Sequence, residues 1–306
     1  MIRPFFYFVM LALLVPTAYA ASNHNKHNNH ASVETDTYTF DIGVFYANSD
    51  SNIIVTNPKN GGTFPIDFED EFLLAEEQYL PYFEFKYAFN QRHNLYIDWK
   101  SLDRQADNNS ISQDFILEDI DGKDYLIEVG AKLNTELNID ILRIGYGYDV
   151  WQGTNYSVGF SVGLHTMFIE TSFKGTIGTC IPGTDLTSLC SNVVDTPEVV
   201  DENFTAPLPN IGMYAAYEFY SGWEIYAHTQ YFAIEYDDVD GSLLDVRLGV
   251  QAKFCENWSL KFAYNYYDVD ITIEKKRKLN GGELRTFDYN IDYSFTGPMF
   301  AVSYAF

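Results

Sequence analysis

The chain has 306 residues, a formal net charge of −24 and ordinary hydrophobic content at 46%, but an unusual 17% of aromatic residues, including 24 Tyr and 24 Phe. So acidic a chain is excluded as a nucleic-acid binder. After the N-terminal segment no apolar run reaches eighteen residues, which excludes a helical membrane anchor.

Residues 1–20 read as a secretory signal. Arg3 is the basic start, Phe5 to Val15 the apolar run, and Ala18-Tyr19-Ala20 the small-x-small cleavage site. Residues 21–36 form a polar tail in which His24, His27 and His30 recur every third position. Imidazoles in that spacing are weak candidates for a transition-metal site, and an untasked flexible tail is the plainer reading. Residues 37–306 form the single folded domain.

From Tyr38 onward one face of each segment is apolar at every second position, the period of a strand. The segments centre on Phe40 and Ile42, on Phe83 and Phe85, on a short one from Leu95 to Trp99, and on Ile144 and Tyr146. They continue at Phe160 and Val162, Met213 and Ala215, Ile225 and Ala227, Leu248 and Val250, and Phe262 and Tyr264. The last segment ends the sequence, with Phe300, Val302, Tyr304 and Phe306 separated by small residues.

Connections alternate in length. Short turns lie at 90–94, 152–155, 221–222 and 255–257, and long loops near 48–79, 103–136, 171–206 and 274–286, with a shorter one at 237–243. Residues 115–129 read as an extra hairpin about Asp121-Gly122. Four segments change phase toward the long-loop end, near Ile141-Leu142, Tyr231-Phe232, Tyr266-Tyr267 and Gly297, and bulges are expected there.

Cys180 and Cys190 enclose a Pro-Gly turn and are expected to form a loop-closing disulfide in an oxidising compartment, leaving Cys255 unpaired.

The C-terminal alternation with its terminal Phe resembles the assembly signal of Gram-negative outer-membrane β-barrels. That resemblance implies an all-β transmembrane antiparallel up-and-down barrel of about ten strands, with eight or twelve as alternatives. Its short turns and both termini would be periplasmic and its long loops extracellular. It further implies a surround of lipid and lipopolysaccharide, delivery by the barrel-assembly machinery, and a monomer.

The complementary face then lines the lumen. It carries Asp41, Glu84, Asp98, Asp149, Glu218, Glu224 and Asp245 against Lys86, Lys100, Arg143, Arg247, Lys253 and Lys261. Seven acids against six bases in so acidic a chain favour an interior of paired ions over an open channel, because an unpaired buried charge is costly. Seven glycines on the same face leave room for a leak. The acidic excess lies in the long loops, where divalent cations are possible partners.

No cofactor is expected. His93 falls in a short turn and His165 and His228 inside, so no outer-loop His is available as a general base of the kind barrel hydrolases use. The expectation is a non-enzymatic barrel with a largely closed lumen in a structural, adhesive or receptor role. A narrow porin-like channel is the alternative, and an outer-membrane hydrolase a distant third.

Overall fold

The computed structural model describes residues 37–56, 63–120, 123–175, 177–180, 198–236, 239–278 and 284–306. The signal segment, the tail with His24, His27 and His30, and Cys190 lie outside them, as does the Cys180 side chain, so the expected disulfide also falls outside.

Ten long strands form the wall. They are β1 (Tyr38–Thr56), β3 (Glu77–Ala88), β4 (His93–Ser110), β7 (Lys132–Gln152), β8 (Tyr156–Gly175), β10 (Glu198–Tyr220), β11 (Trp223–Tyr236), β12 (Val239–Lys253), β13 (Trp258–Lys278) and β14 (Leu284–Ala305). Each pairs antiparallel with its neighbours, and β14 pairs with β1 from Thr39↔Ala305 to Ile53↔Ile291, which closes the barrel. Closure leaves no full-length edge to aggregate. Four short strands sit in the connections: β2 (Thr63–Asp67), β5 (Phe115–Ile120), β6 (Lys123–Ile127) and β9 (Gly178–Cys180).

Around the short-turn half, the exterior row is apolar. Ile42, Ile144, Val162, Ile211, Leu248, Phe262 and Phe300 all point outward and are exposed. A ring of aromatics, including Trp151, Phe219, Trp223 and Trp258, marks the short-turn rim. An apolar band with aromatic girdles is what lipid requires of a barrel wall. Phe300, Val302 and Tyr304 of the C-terminal signal lie on this outer row of β14, with Val302 opposite Ile42 and Tyr304 opposite Phe40, and Phe306 follows with its N–H bonded to Tyr38 C=O.

The strands run far past this band. β10 has 23 residues and β7 has 21, against roughly ten for a membrane crossing. The expected short segment at 95–99 is the 18-residue β4. Much of the expected long loops is therefore strand.

The expected rim bulges are absent. On β13, Tyr267, Val269 and Ile271 stay inward with Ala263 and Asn265, and on β14, Tyr293 and Phe295 stay inward with Met299. The β13–β14 ladder runs unbroken from Trp258↔Tyr304 to Lys278↔Leu284. At Gly297 a Cβ would strike the Tyr46 carbonyl, yet the β1–β14 register is unchanged on either side. Register does shift at Ala106/Asn109, Asp149/Trp151 and Glu218/Tyr220, the last two beside short turns. What changes at the rim is the surroundings. Below it, apolar residues face lipid; above it, the same side faces water and the apolar residues turn inward.

The upper barrel thus has a core. Phe45, Phe72, Phe115, Ile127, Met167 and Phe295 are fully or almost fully buried in it. The hairpin β5–β6 joins β1 through Thr56↔Ile116 and β9 through Asp124↔Cys180, and it buries Phe115, Ile116 and Tyr125.

Candidate functional site

Adjacent strands bring three lumen acids side by side, through the pairs Asp41↔Glu84 and Glu84↔Asp98. Like charges so placed repel. Three bases answer them. Lys261 Nζ lies 2.5 Å from Asp41 Oδ2, Arg247 Nη1 lies 3.2 Å from Glu84 Oε2, and Arg143 pairs with Asp98. Arg143 also reaches Asp245 at 3.4 Å and Glu84 at 3.7 Å.

Neutral groups complete this layer. Arg143 donates to the Gln230 carbonyl at 3.1 Å, and the Gln230 amide donates to Tyr96 Oη at 2.7 Å. The Asn265 amide donates to Asp245 at 2.7 Å, and Lys100 donates back to Asn265 Oδ1 at 3.2 Å. Paired and hydrogen-bonded charges are the form in which buried ions are tolerated. Arg143, Lys100, Asp98 and Asp245 are all buried.

Lys100 marks the top of the ionic layer. Its Nζ lies 5.6 to 5.9 Å from the rings of Phe45, Tyr267 and Phe295, within cation–π range, where the apolar core begins. Higher still, an isolated polar knot sits within that core. Arg104 pairs with Glu69, and both hold Ser51, with Arg104 Nη2 to Ser51 Oγ at 2.7 Å and Ser51 N–H to Glu69 Oε2 at 3.0 Å. Burial pushes the Glu69 carboxyl above its usual range, against the downward pull of Arg104.

Below the ionic layer is a polar cavity of about 580 Å³, reaching the short-turn end. Lys86, Glu218, Glu224 and Lys253 line its mouth, without an ion pair inside 4 Å among the described residues. Of the charges expected in the lumen, the structure therefore brings Asp41, Glu84, Asp98, Arg143, Asp245, Arg247 and Lys261 into direct pairs. It leaves Lys100 on an amide, Asp149 accepting from the Tyr214 hydroxyl and the Gln152 amide, and these four at the opening.

Sequence reasoning missed the lumen tyrosines. Tyr96 lies over Gly145, Tyr214 over Gly159 and Tyr226 over Gly249, each directly opposite its glycine in the ladder. A Cβ on any of the three glycines would meet a ring atom at 2.2 to 2.6 Å. Three of the seven glycines expected to leave gaps are instead seats for rings, the cross-strand rescue of a bare backbone by an aromatic. The signal was the inward phase of these tyrosines, which only the register turns into pairs.

His165 is buried, with Nδ1 2.8 Å from the Asn210 amide, and His93 bonds Tyr146 at the short-turn end. Cys255 is a free, exposed thiol. Asp50, Asp67 and Glu69 bring carboxylate oxygens within 4.8 Å of one another, but Glu69 is already held by Arg104 and Ser51.

The chain matches no protein-family model and no curated protein. Solved structures do resemble it. The Escherichia coli outer membrane protease OmpT aligns over 91% of this chain and 99% of its own, at 9% identity and a TM-score of 0.53. The Pseudomonas putida toluene transporter TodX aligns over 89% and 90%, at 10% identity and a TM-score of 0.33. Ail, the attachment invasion locus protein of Yersinia pestis, aligns over 86% and 98%, at 9% identity and a TM-score of 0.30. At 9% identity the OmpT likeness is one of fold alone: a closed antiparallel β-barrel with ten strands in its wall, a fold shared with that outer-membrane protein.

Proposed function

We propose that this is a non-conducting, non-enzymatic barrel of the bacterial outer membrane whose upper half works as a structural, adhesive or receptor surface. Short turns and both termini face the periplasm, and the long-loop half stands outside among lipopolysaccharide. Delivery by the barrel-assembly machinery fits the outward aromatic row of β14, with Phe300, Val302 and Tyr304, followed by Phe306.

The observation that carries this reading is the double seal of the lumen. Arg143, Asp98, Asp245 and Lys100 are buried and linked across the lumen, and among the described residues a buried apolar cluster stands above them, which supports a closed interior. Moving an ion through such a core carries the penalty of burying an unpaired charge. The cavity at the short-turn end is a cup on this reading, a recess without an exit.

Planar-bilayer recording of the purified chain is the test. A silent trace supports the closed scaffold. A steady unitary current would favour the narrow porin-like channel.

A further inference from the structure

Among the described residues the wall parts in two places: at β10–β11, whose ladder stops at Ile211↔Tyr231 although both strands run on, and at β3–β4. The β3–β4 ladder stops at Tyr82↔Lys100, although β3 continues through Glu77 and β4 through Ser110. On their other sides both stay paired: β3 with β1 to Asn48↔Glu77, and β4 with β7 to Ser110↔Lys132.

The cause is chemical. Ala88 N–H bonds Thr37 C=O and Ser49 N–H bonds Glu76 C=O, so even-numbered residues of β3 turn their backbone groups toward β1. Phe89 N–H bonds His93 C=O, so odd-numbered residues turn toward β4. Pro81 is odd and has no N–H. It occupies the first rung beyond Tyr82↔Lys100, where the ladder needs a donor and finds none. By the same alternation Ser101, Asp103 and Gln105 present backbone N–H and C=O groups to the parting. The Gln78 side-chain amide reaches across to Asp103 C=O at 2.9 Å.

The parting opens where the lipid-facing row of β4 ends, since Trp99 is followed outward by Ser101, Asp103 and Gln105. Its outer groove is lined by Glu77, Gln78, Tyr79, Pro81, Ser101 and Asp103. Tyr79 is 74% exposed there. The five residues of β3 beyond Tyr82 give it a height of roughly 17 Å. An exposed strand edge is a template for another strand, and charges along it choose the partner. Both charged lining residues are acids, Glu77 and Asp103, and an exposed ring stands beside them for a cation to sit on.

We infer that the β3–β4 parting is a docking groove for an extended, lysine- or arginine-bearing peptide segment of another protein. The segment adds as a strand to the Ser101–Gln105 edge of β4 and displaces the Gln78 amide. This deepens the receptor reading and rests on the upper half facing outward, but its test does not depend on whether the lumen conducts.

The probe is a blocked octapeptide alternating Lys and Val, with one control carrying Glu for Lys and another N-methylated at alternate residues. Binding to the full chain in detergent micelles is read by fluorescence anisotropy. The Lys peptide is expected to bind at least about tenfold more tightly than either control. Pro81→Val restores the missing donor, zips the ladder and is expected to abolish binding. Glu77→Gln with Asp103→Asn, which leaves the backbone alone, is expected to weaken binding roughly fivefold. In the free protein the amides of Ser101, Asp103 and Gln105 are expected to exchange quickly. Equal binding of all three peptides, which a lipid-filled groove would give, overturns the proposal. So do full binding by Pro81→Val or slow exchange of those three amides.

Discussion

The lower and upper halves of this barrel are one continuous wall with opposite interiors. Around the short-turn half, Phe262 and Val162 face lipid while Lys261, Arg143 and Asp98 fill the hollow. Around the long-loop half, Asp268 and Asp270 stand on the outside while Val269 and Ile271 pack within. No strand slips by a residue to achieve this. The lesson is that solvent, not register, decides which side of a ribbon is greasy, and a single strand crosses from one regime to the other by changing its residues alone.

The ionic layer gives the largest effect that tests this contrast. Arg143→Ala leaves Asp98 and Asp245 buried without their guanidinium and is expected to cost about 3–5 kcal/mol in chemical unfolding from vesicles. The Arg143→Ala, Arg247→Ala double variant is expected to cost more than the single change, while the bilayer current stays silent because the apolar core above remains. If either background tolerates the loss within error, the layer does not hold the lower half together.

The upper half breaks differently. Phe115→Ala removes a fully buried ring from the apolar core and is expected to cost about 3–5 kcal/mol, or to lower protease resistance of the upper half alone. The bilayer current should stay silent, because the ionic layer below remains.

The exterior sharpens the comparison at smaller scale. Phe262→Arg places a charge on the lipid face and is expected to cost about 2–4 kcal/mol near the bilayer midplane. Asp270→Arg, four rungs up the same side of β13, is expected to be neutral or slightly stabilising, since it would face Asp292 directly. Similar costs at the two sites would mean that both face the same medium.

The smallest effect is electrostatic. Asp270 and Asp292 are direct cross-strand partners, and the Asp292 carboxyl is raised above its ordinary range by partial burial and then by Asp270. Asp268 is raised by partial burial and then by Asp270 as well. A carboxyl raised in the folded state favours folding most fully below the unfolded pKa, and that contribution is lost as pH rises through the folded value. The protection factors of the upper β13–β14 amides, with the intrinsic pH dependence of exchange divided out, are therefore expected to rise as pH falls from neutrality into the acid range. Asp292→Asn should remove most of that dependence and stabilise the rungs by about 0.2–1 kcal/mol at neutral pH.

The lower half was legible in the sequence because lipid and lumen impose opposite demands on alternate residues. Ile42 beside Asp41 and Ile144 beside Arg143 are enough to orient their strands. The upper half was misread for the same reason. Val269 and Ile271 continue the inward row of Lys261 and Asn265, but a reader who follows the greasy face sees a phase change and invokes a bulge. Strand lengths were lost with it, and residues 132–136 of β7 looked like loop. The tyrosine–glycine seats need the partner strand's register, which alternation within one strand does not carry. Pro81 stands two residues before Phe83 in the sequence; only the direction of its missing N–H makes it the end of a ladder.

The most direct measurement is a spin-label accessibility scan along β13 from Leu260 to Thr272, in vesicles, with the three native cysteines replaced by serine. Labels at 260, 262, 264 and 266 should be quenched by oxygen dissolved in lipid, labels at 268, 270 and 272 by a water-soluble nickel chelate, and the odd positions throughout by neither. A one-residue slip of that even–odd pattern anywhere between 264 and 270, or oxygen quenching that continues at 270, would contradict a wall that keeps its phase while its surroundings trade places.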